Sequence, residues 1–321
     1  MAAPDPTSSG FARAPITGIA ILVVLGVIAP WVLYPVFLMK ALCFALFACA
    51  FNLLLGFTGL LSFGHAVFLA SAGYAAGHSI KVWGFPPELG IIFSVAVAAG
   101  IGYVVGSLAI RRQGIYFAMI TLARAQMVYF LFLQASFTGG EDGLQGVPRG
   151  ALLGVLDMKS DMVMYYVVLA AFLASFLFIY RVVHSPFGQV LKAIRENESR
   201  ALSLGYDVDK YKLVAFVLSA GLSGLAGALK ALVLGFETLT DASWQMSGEV
   251  VLMTLVGGVG TMFGPIVGAF VIIALQNELA DKVGSWVQVI MGVIFVVCVL
   301  AFRRGIVGEL SAFLNRKKSS S

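Results

Sequence analysis

Charge is what this chain has least of. Aspartate and glutamate number 16 and lysine and arginine 21 among 321 residues, so 12% are charged while 60% are hydrophobic. Soluble domains carry about 25% charged residues, which excludes an ordinary water-facing surface here. Cysteine and histidine are scarce too, with three of each. Cys43, Cys49 and Cys298 lie inside apolar runs without CxxC spacing, which excludes a paired-cysteine zinc site and an even disulfide framework. They read as small buried side chains. No nucleophile, base and carboxylate converge, so no catalytic residue and no metal site is assigned and the chain is not read as an enzyme. A GxxxxGK[ST] phosphate loop is also missing, since "GGVGTMFG" at 257–264 has neither the lysine nor a preceding strand. Any ATP chemistry therefore belongs to another chain.

Long apolar runs are what the sequence does have, and the mean hydropathy is +0.96. A helix of about 20 apolar residues crosses the roughly 30 Å of hydrocarbon while satisfying its own backbone. Such runs fall at 16–34, 36–57, 60–80, 89–110, 115–134, 163–183, 213–234, 248–276 and 284–302. The expected fold is all-α: a polytopic helical membrane protein of about nine or ten segments, occupying 16–302. Two segments, 60–80 and 248–276, carry glycine or proline mid-run and are expected to be discontinuous. The Pro- and Ser-rich residues 1–15 read as a disordered cytoplasmic terminus before an uncleaved first span.

Lysine and arginine set the orientation. Arg111 and Arg112, the stretch 184–212, and the basic tail 303–321 with Arg303, Arg304, Arg316, Lys317 and Lys318 are expected on the cytoplasmic side, with both termini. Nine crossings would put the stretch and the tail on opposite sides. Parity is restored if Gly257, Gly258, Gly260, Gly264 and Pro265 divide 248–276 into two short helices, about 249–256 and 265–276.

The charge concentrates in "FGQVLKAIRENESRALSLGYDVDKYK", residues 187–212. Ser185 is a candidate N-cap, Pro186 suits the first helical position, and Gly205 suits a left-handed end. Lys192, Glu196 and Arg200 recur every four residues and predict a charged ladder on one short amphipathic helix. Two readings fit: a surface loop whose cations only set topology, or a rigid docking surface outside the bilayer.

Five stretches, in order, resemble the permeases of branched-chain amino acid ATP-binding-cassette importers of the LivM type: "NLLLGFTGLLSFGHAVF", "GIYFAMITLARAQM", "FTGGEDGLQGVP", "SPFGQVLKAIRENESRALSLGYDVDKYKLVAFVLSAGLSGLAGAL" and "GEVVLMTLVGGVGTMFGPIVGA". The similarity runs from about residue 30 to 302. It implies a multi-pass subunit of the bacterial inner membrane, paired with a sister permease, two ATPase subunits that carry ATP and Mg, and a periplasmic substrate-binding protein. It implies no cofactor on this chain and no nucleic-acid partner. It makes Arg195, Glu196, Asn197, Glu198, Arg200, Ala201, Leu204 and Gly205 the coupling helix that seats in the ATPase. The solute it implies is a branched-chain amino acid, with urea, amides and small organic acids as alternatives; a secondary transporter or channel is the rival class.

Other residues keep two readings. Gly102 with Gly106, Ser219 with Ser223 and Gly227, and Gly260 with Gly264 and Gly268 suit close helix packing. The break spanning Gly257, Gly258, Gly260 and Gly264 also suits the edge of a pathway. Glu141 and Asp142, in the loop 138–148, are candidate contacts for the binding protein or plain loop residues. His65 and His78 read as packed histidines. Arg124 and Lys230 fall inside spans, where a cation costs about 2.5–3.5 kcal/mol on insertion scales, so each must face protein or water. No compensating carboxylate is expected deep in any span, which leaves an anionic solute, snorkelling or internal pairing as their use.

Overall fold

A computed structural model describes residues 13–112, 114–152, 154, 156–301 and 305–309. The basic residues of the tail fall outside these. The helices are α1 (Arg13–Ile28), α2 (Pro35–Thr58), α3 (His65–Lys81), α4 (Pro87–Ala109), α5 (Ile115–Gln134), α6 (Asp161–His184), α7 (Pro186–Glu196), α8 (Glu198–Ser203), α9 (Val208–Leu234), α10 (Trp244–Gly257), α11 (Gly264–Val283) and α12 (Val287–Ala301). Between them lie short 3-10 turns and four two-residue strands: β1 (Leu144–Gln145), β2 (Ala151–Leu152), β3 (Leu156–Asp157) and β4 (Phe236–Glu237). The protein is an all-α polytopic membrane protein.

Helix α2 is the axis of the bundle. It is apolar around its whole circumference, as a helix with no solvent face must be, and 89% of its most apolar stretch is buried against 28% for α4 and for α5. It packs on α9, α6, α10 and α11, while the apolar outer faces of α4 and α5 are left for lipid or another chain. α2, α4, α5, α6 and α9 are long and apolar enough to cross a bilayer alone. α11 and the shorter α3, α10 and α12 join them in the packing.

Small residues fix how the helices meet. A Cβ on Gly227 would lie 1.9 Å from the Leu69 carbonyl oxygen, so α3 and α9 touch backbone to backbone. His65 at Ser219 and Leu69 at Gly227 make these two helices parallel. Gly102 meets Ala220 and Gly106 meets Leu213, so α4 runs antiparallel to α9. Ser219 also donates to the Ala50 carbonyl at 2.5 Å, binding α2 into the same layer.

The segment 248–276 is two helices, α10 and α11, antiparallel and joined by the turn 258–263. A Cβ on Gly268 would lie 1.9 Å from the Met253 carbonyl, and one on Gly257 1.9 Å from that of Gly264. Gly260 is not part of this packing row, because it sits in the turn with φ 76°. The 60–80 segment departs from expectation differently. Its helix starts at His65 and runs unbroken through Gly73 and Gly77. Those glycines make room for neighbours rather than breaks: a Cβ would lie 2.5 Å from the Glu237 carboxyl carbon at Gly73 and 2.4 Å from Leu144 at Gly77.

The connection 135–160 folds back on the bundle. β1 pairs antiparallel with β4, Leu144 opposite Glu237, and β2 pairs with β3. The Lys81 ammonium donates to the Gln145 carbonyl at 2.6 Å, so α3, β1 and β4 are tied at one end.

Candidate functional site

The charged stretch is two helices, not one. Ser185 caps α7 as its sequence predicts, its hydroxyl accepting from the Gly188 amide at 3.3 Å, with Pro186 at the first position. The helix stops at Glu196 because Asn197 turns extended and its side chain caps α8, accepting from the Arg200 amide at 3.0 Å. Asn competes well for such an amide, which favours a cap over a helix interior. The expected ladder is therefore absent: among the described residues no ion pair joins Lys192, Glu196 and Arg200. Lys192 sits 5.9 Å from the Phe57 ring centre instead.

This pair of helices carries its own small core. Ile194, Ala201 and Val208 are buried together, with Val190 and Tyr211 against them. The Lys212 ammonium, 2% exposed as a residue, pairs with Glu198 at 2.7 Å. Asp207 caps α9, and the Lys210 ammonium and amide hold its carboxyl below the ordinary range. Gly205 closes the turn with φ 85°. The surface left outward carries Glu196, Arg200 and two bare apolar side chains, Leu202 at 56% and Leu204 at 67% exposed. Ala201, by contrast, faces inward.

Arg195 stays exposed at that surface, but its guanidinium turns back toward α2. The group donates to the Gly56 carbonyl in the last turn of α2, and its Nη1 would lie 3.0 Å from a Cβ on Gly260. One turn earlier, Asn52, 3% exposed, donates to the Thr261 carbonyl at 2.9 Å and accepts from the Gly260 amide at 2.9 Å. Inside the turn, the Thr261 hydroxyl donates to the Gly258 carbonyl at 2.8 Å and accepts from the Gly264 amide at 3.1 Å. Two sets of residues the sequence treats separately, the charged loop and the glycine break, thus meet at the end of α2.

Lys230 is paired from within. Its ammonium lies 2.6 Å from Asp241 and 3.4 Å from Glu237, and all three side chains are buried. Neither acid lies in a spanning helix, as expected; both follow α9 on a segment that folds back beside α3, and this brings them to the ammonium. Arg124, partly buried, donates to the Val105 carbonyl of α4 at 2.7 Å. Glu249 lies early in α10 and is partly buried. Glu141 and Asp142 are exposed on a short 3-10 turn, away from Arg195 in sequence and in contacts.

His65 is buried, 2.8 Å from the Ser219 hydroxyl and edge-on to Phe51, Phe68 and Phe216. His78 packs edge-on to Trp83 and Phe137. Sequence reasoning missed Asn52, Thr261, Glu237 and Asp241. Asn52 was visible as the one amide in the apolar run 36–57.

The family described as the permease component of branched-chain amino acid transport systems matches residues 35–299. The chain is 27% identical over 277 residues, 78% of its own length and 64% of the relative's, to the high-affinity branched-chain amino acid transport system permease protein LivM of Salmonella typhimurium, and as similar to that of Escherichia coli. It is 28% identical over 210 residues, 61% of its length and 59% of the relative's, to the ribose import permease protein RbsC of Bacillus subtilis. The matched region thus spans a little under two thirds of these relatives. No solved structure matches.

Proposed function

Because the chain belongs to the family of permease components of branched-chain amino acid transport systems, we propose that it is the membrane subunit of an ATP-binding-cassette importer. It forms, with a sister permease, the route for branched-chain amino acids or a related small polar solute such as urea, an amide or a small organic acid. Two ATPase subunits carry ATP and Mg, and a periplasmic binding protein delivers the solute, with Glu141 and Asp142 at its contact. The bacterial inner membrane is its site, with both termini and the stretch 184–212 in the cytoplasm. An impermeant thiol reagent should label a cysteine placed at 142 in intact cells and one placed at 199 only after permeabilisation; the reverse pattern overturns the orientation.

One observation supports the coupling role most directly. A charged loop held rigid by its own core and by Lys212–Glu198 nevertheless leaves Leu202 and Leu204 bare. Exposed leucines rimmed by charges on a rigid element are what a docking surface needs. A bulky residue at Ala201 would instead break the loop's own core.

The test is the double variant Leu202→Glu and Leu204→Glu, which leaves the core untouched. The permease should accumulate and insert as in wild type, the ATPase subunits should cease to co-purify, and uptake should fall by more than about tenfold, as expected for losing an interface anchor. Undiminished co-purification and uptake would return the loop to a topology-setting role.

A further inference from the structure

The last turn of α2 leaves a carbonyl for another group to claim. The chain leaves the helix through Gly59 at φ 78°, the Gly59 amide bonding Leu55 and the Leu60 amide doubling back to Leu54. Gly56, whose ordinary partner would be the Leu60 amide, is left with a free carbonyl at the negative end of the helix dipole. Arg195 fills this vacancy from α7. Its aliphatic stem crosses Gly59, where a Cβ would lie 3.2 Å from Cγ and push the stem slightly aside; the positive φ is what calls for glycine there.

The same guanidinium reaches the turn where α10 gives way to α11. A Cβ on Gly56 would lie 2.7 Å from the Gly260 amide nitrogen, and Asn52 clamps both sides of that turn. Three elements converge here: the end of α7, the end of α2 and the reversal at 258–263. The end of α7 leads directly into Asn197 and the exposed leucines of α8. A displacement of α8 that carries α7 with it must either drag the end of α2, to which Asn52 ties the 258–263 turn, or break the charge-assisted bond to Gly56, and charge-assisted bonds are roughly twice as strong as neutral ones.

We propose that Arg195 is the positioning residue that transmits movement of the α7–α8 loop to the turn between α10 and α11, rather than a contact with the ATPase. The inference rests on the coupling role proposed above. It makes Arg195 an inward link and leaves docking to Leu202 and Leu204.

The experiment uses the full transporter reconstituted with its ATPase and binding protein, with leucine as the solute probe, and reads solute moved per ATP hydrolysed. Arg195→Ala should keep the ATPase bound and hydrolysing while the ratio falls by about tenfold, within the usual range of coupling energies. Arg195→Lys, which keeps a cation over the helix end, should recover most of the ratio. Loss of the ATPase in Arg195→Ala would make the residue a docking contact and overturn the proposal; so would an unchanged ratio. If Arg195→Ala fails to accumulate, Arg195→Lys against Arg195→Gln decides, equal ratios overturning it. A wild-type chain that binds no ATPase defeats the coupling role itself, which is a separate result.

Discussion

Replacing Lys230 with leucine should nearly abolish folded protein. The ammonium is 2.6 Å from Asp241 and 3.4 Å from Glu237, and the carboxylates are 5% and 0% exposed. Leucine would leave both acids among apolar helices without their cation. Breaking a buried pair from one side costs about 3–5 kcal/mol, a large part of the roughly 5–15 kcal/mol by which domains are stable. The yield of monodisperse protein after detergent extraction, and its Tm, measure this. Adding Glu237→Gln and Asp241→Asn to Lys230→Leu should restore much of the yield, because amides are costly to bury but carry no charge. A Lys230→Leu protein that folds normally yet fails to transport would reinstate the pathway role for this lysine.

Gly227→Ala should also be severe, against the direction that helix propensity alone predicts. In a helix interior alanine is better than glycine by about 0.5–1 kcal/mol. At Gly227 the added methyl meets the Leu69 carbonyl at 1.9 Å and its carbon at 2.7 Å, and a helix backbone cannot step aside as a side chain can. α3 and α9 must separate, at a cost of about 1–3 kcal/mol or more, and the hydrogen bond of His65 with Ser219 loosens with them. Gly100→Ala on α4 is the control, since a Cβ there meets nothing within 4 Å. A thermal scan should show Gly227→Ala well below wild type and Gly100→Ala at or slightly above it. Equal shifts would mean that close backbone contact does not hold these helices together.

Much of this fold is legible in the sequence because a membrane helix announces itself residue by residue. Apolar length gave the spans, and counting charges across them required the break that separates α10 from α11. Ser185 with Pro186 marked the start of α7. What stayed hidden depends on contacts between distant residues. Glu237 and Asp241 stand just past an apolar run, where acids read as solvated, and only the fold-back of their segment beside α3 brings them to Lys230. Glycines 73 and 77 look like helix breakers until the side chains filling their space are known. The kink at Asn197 was within reach, since an Asn followed by Glu-Ser-Arg is a capping pattern, but the four-residue charge spacing masked it. Arg195 looks like one more loop cation; its inward turn depends on a carbonyl left open by a helix end more than a hundred residues earlier.

The pairing of β1 with β4 also dictates a sequence of events during synthesis. Leu144 precedes α6 and Glu237 follows α9, so the ladder cannot close until both helices have been made and inserted. The entropy of joining distant residues grows only slowly with the intervening length, so the delay is set by the order of synthesis and not by the size of the loop. Until then residues 138–148 are held only by earlier partners such as Lys81, and Lys230 is without its acids. Glu237 serves both, its backbone in the strand pair and its carboxylate near the ammonium, and Asp241, four residues later, supplies the closer oxygen. The segment 236–241 therefore closes the ladder and the buried ion pairs together, after every helix they join has been made.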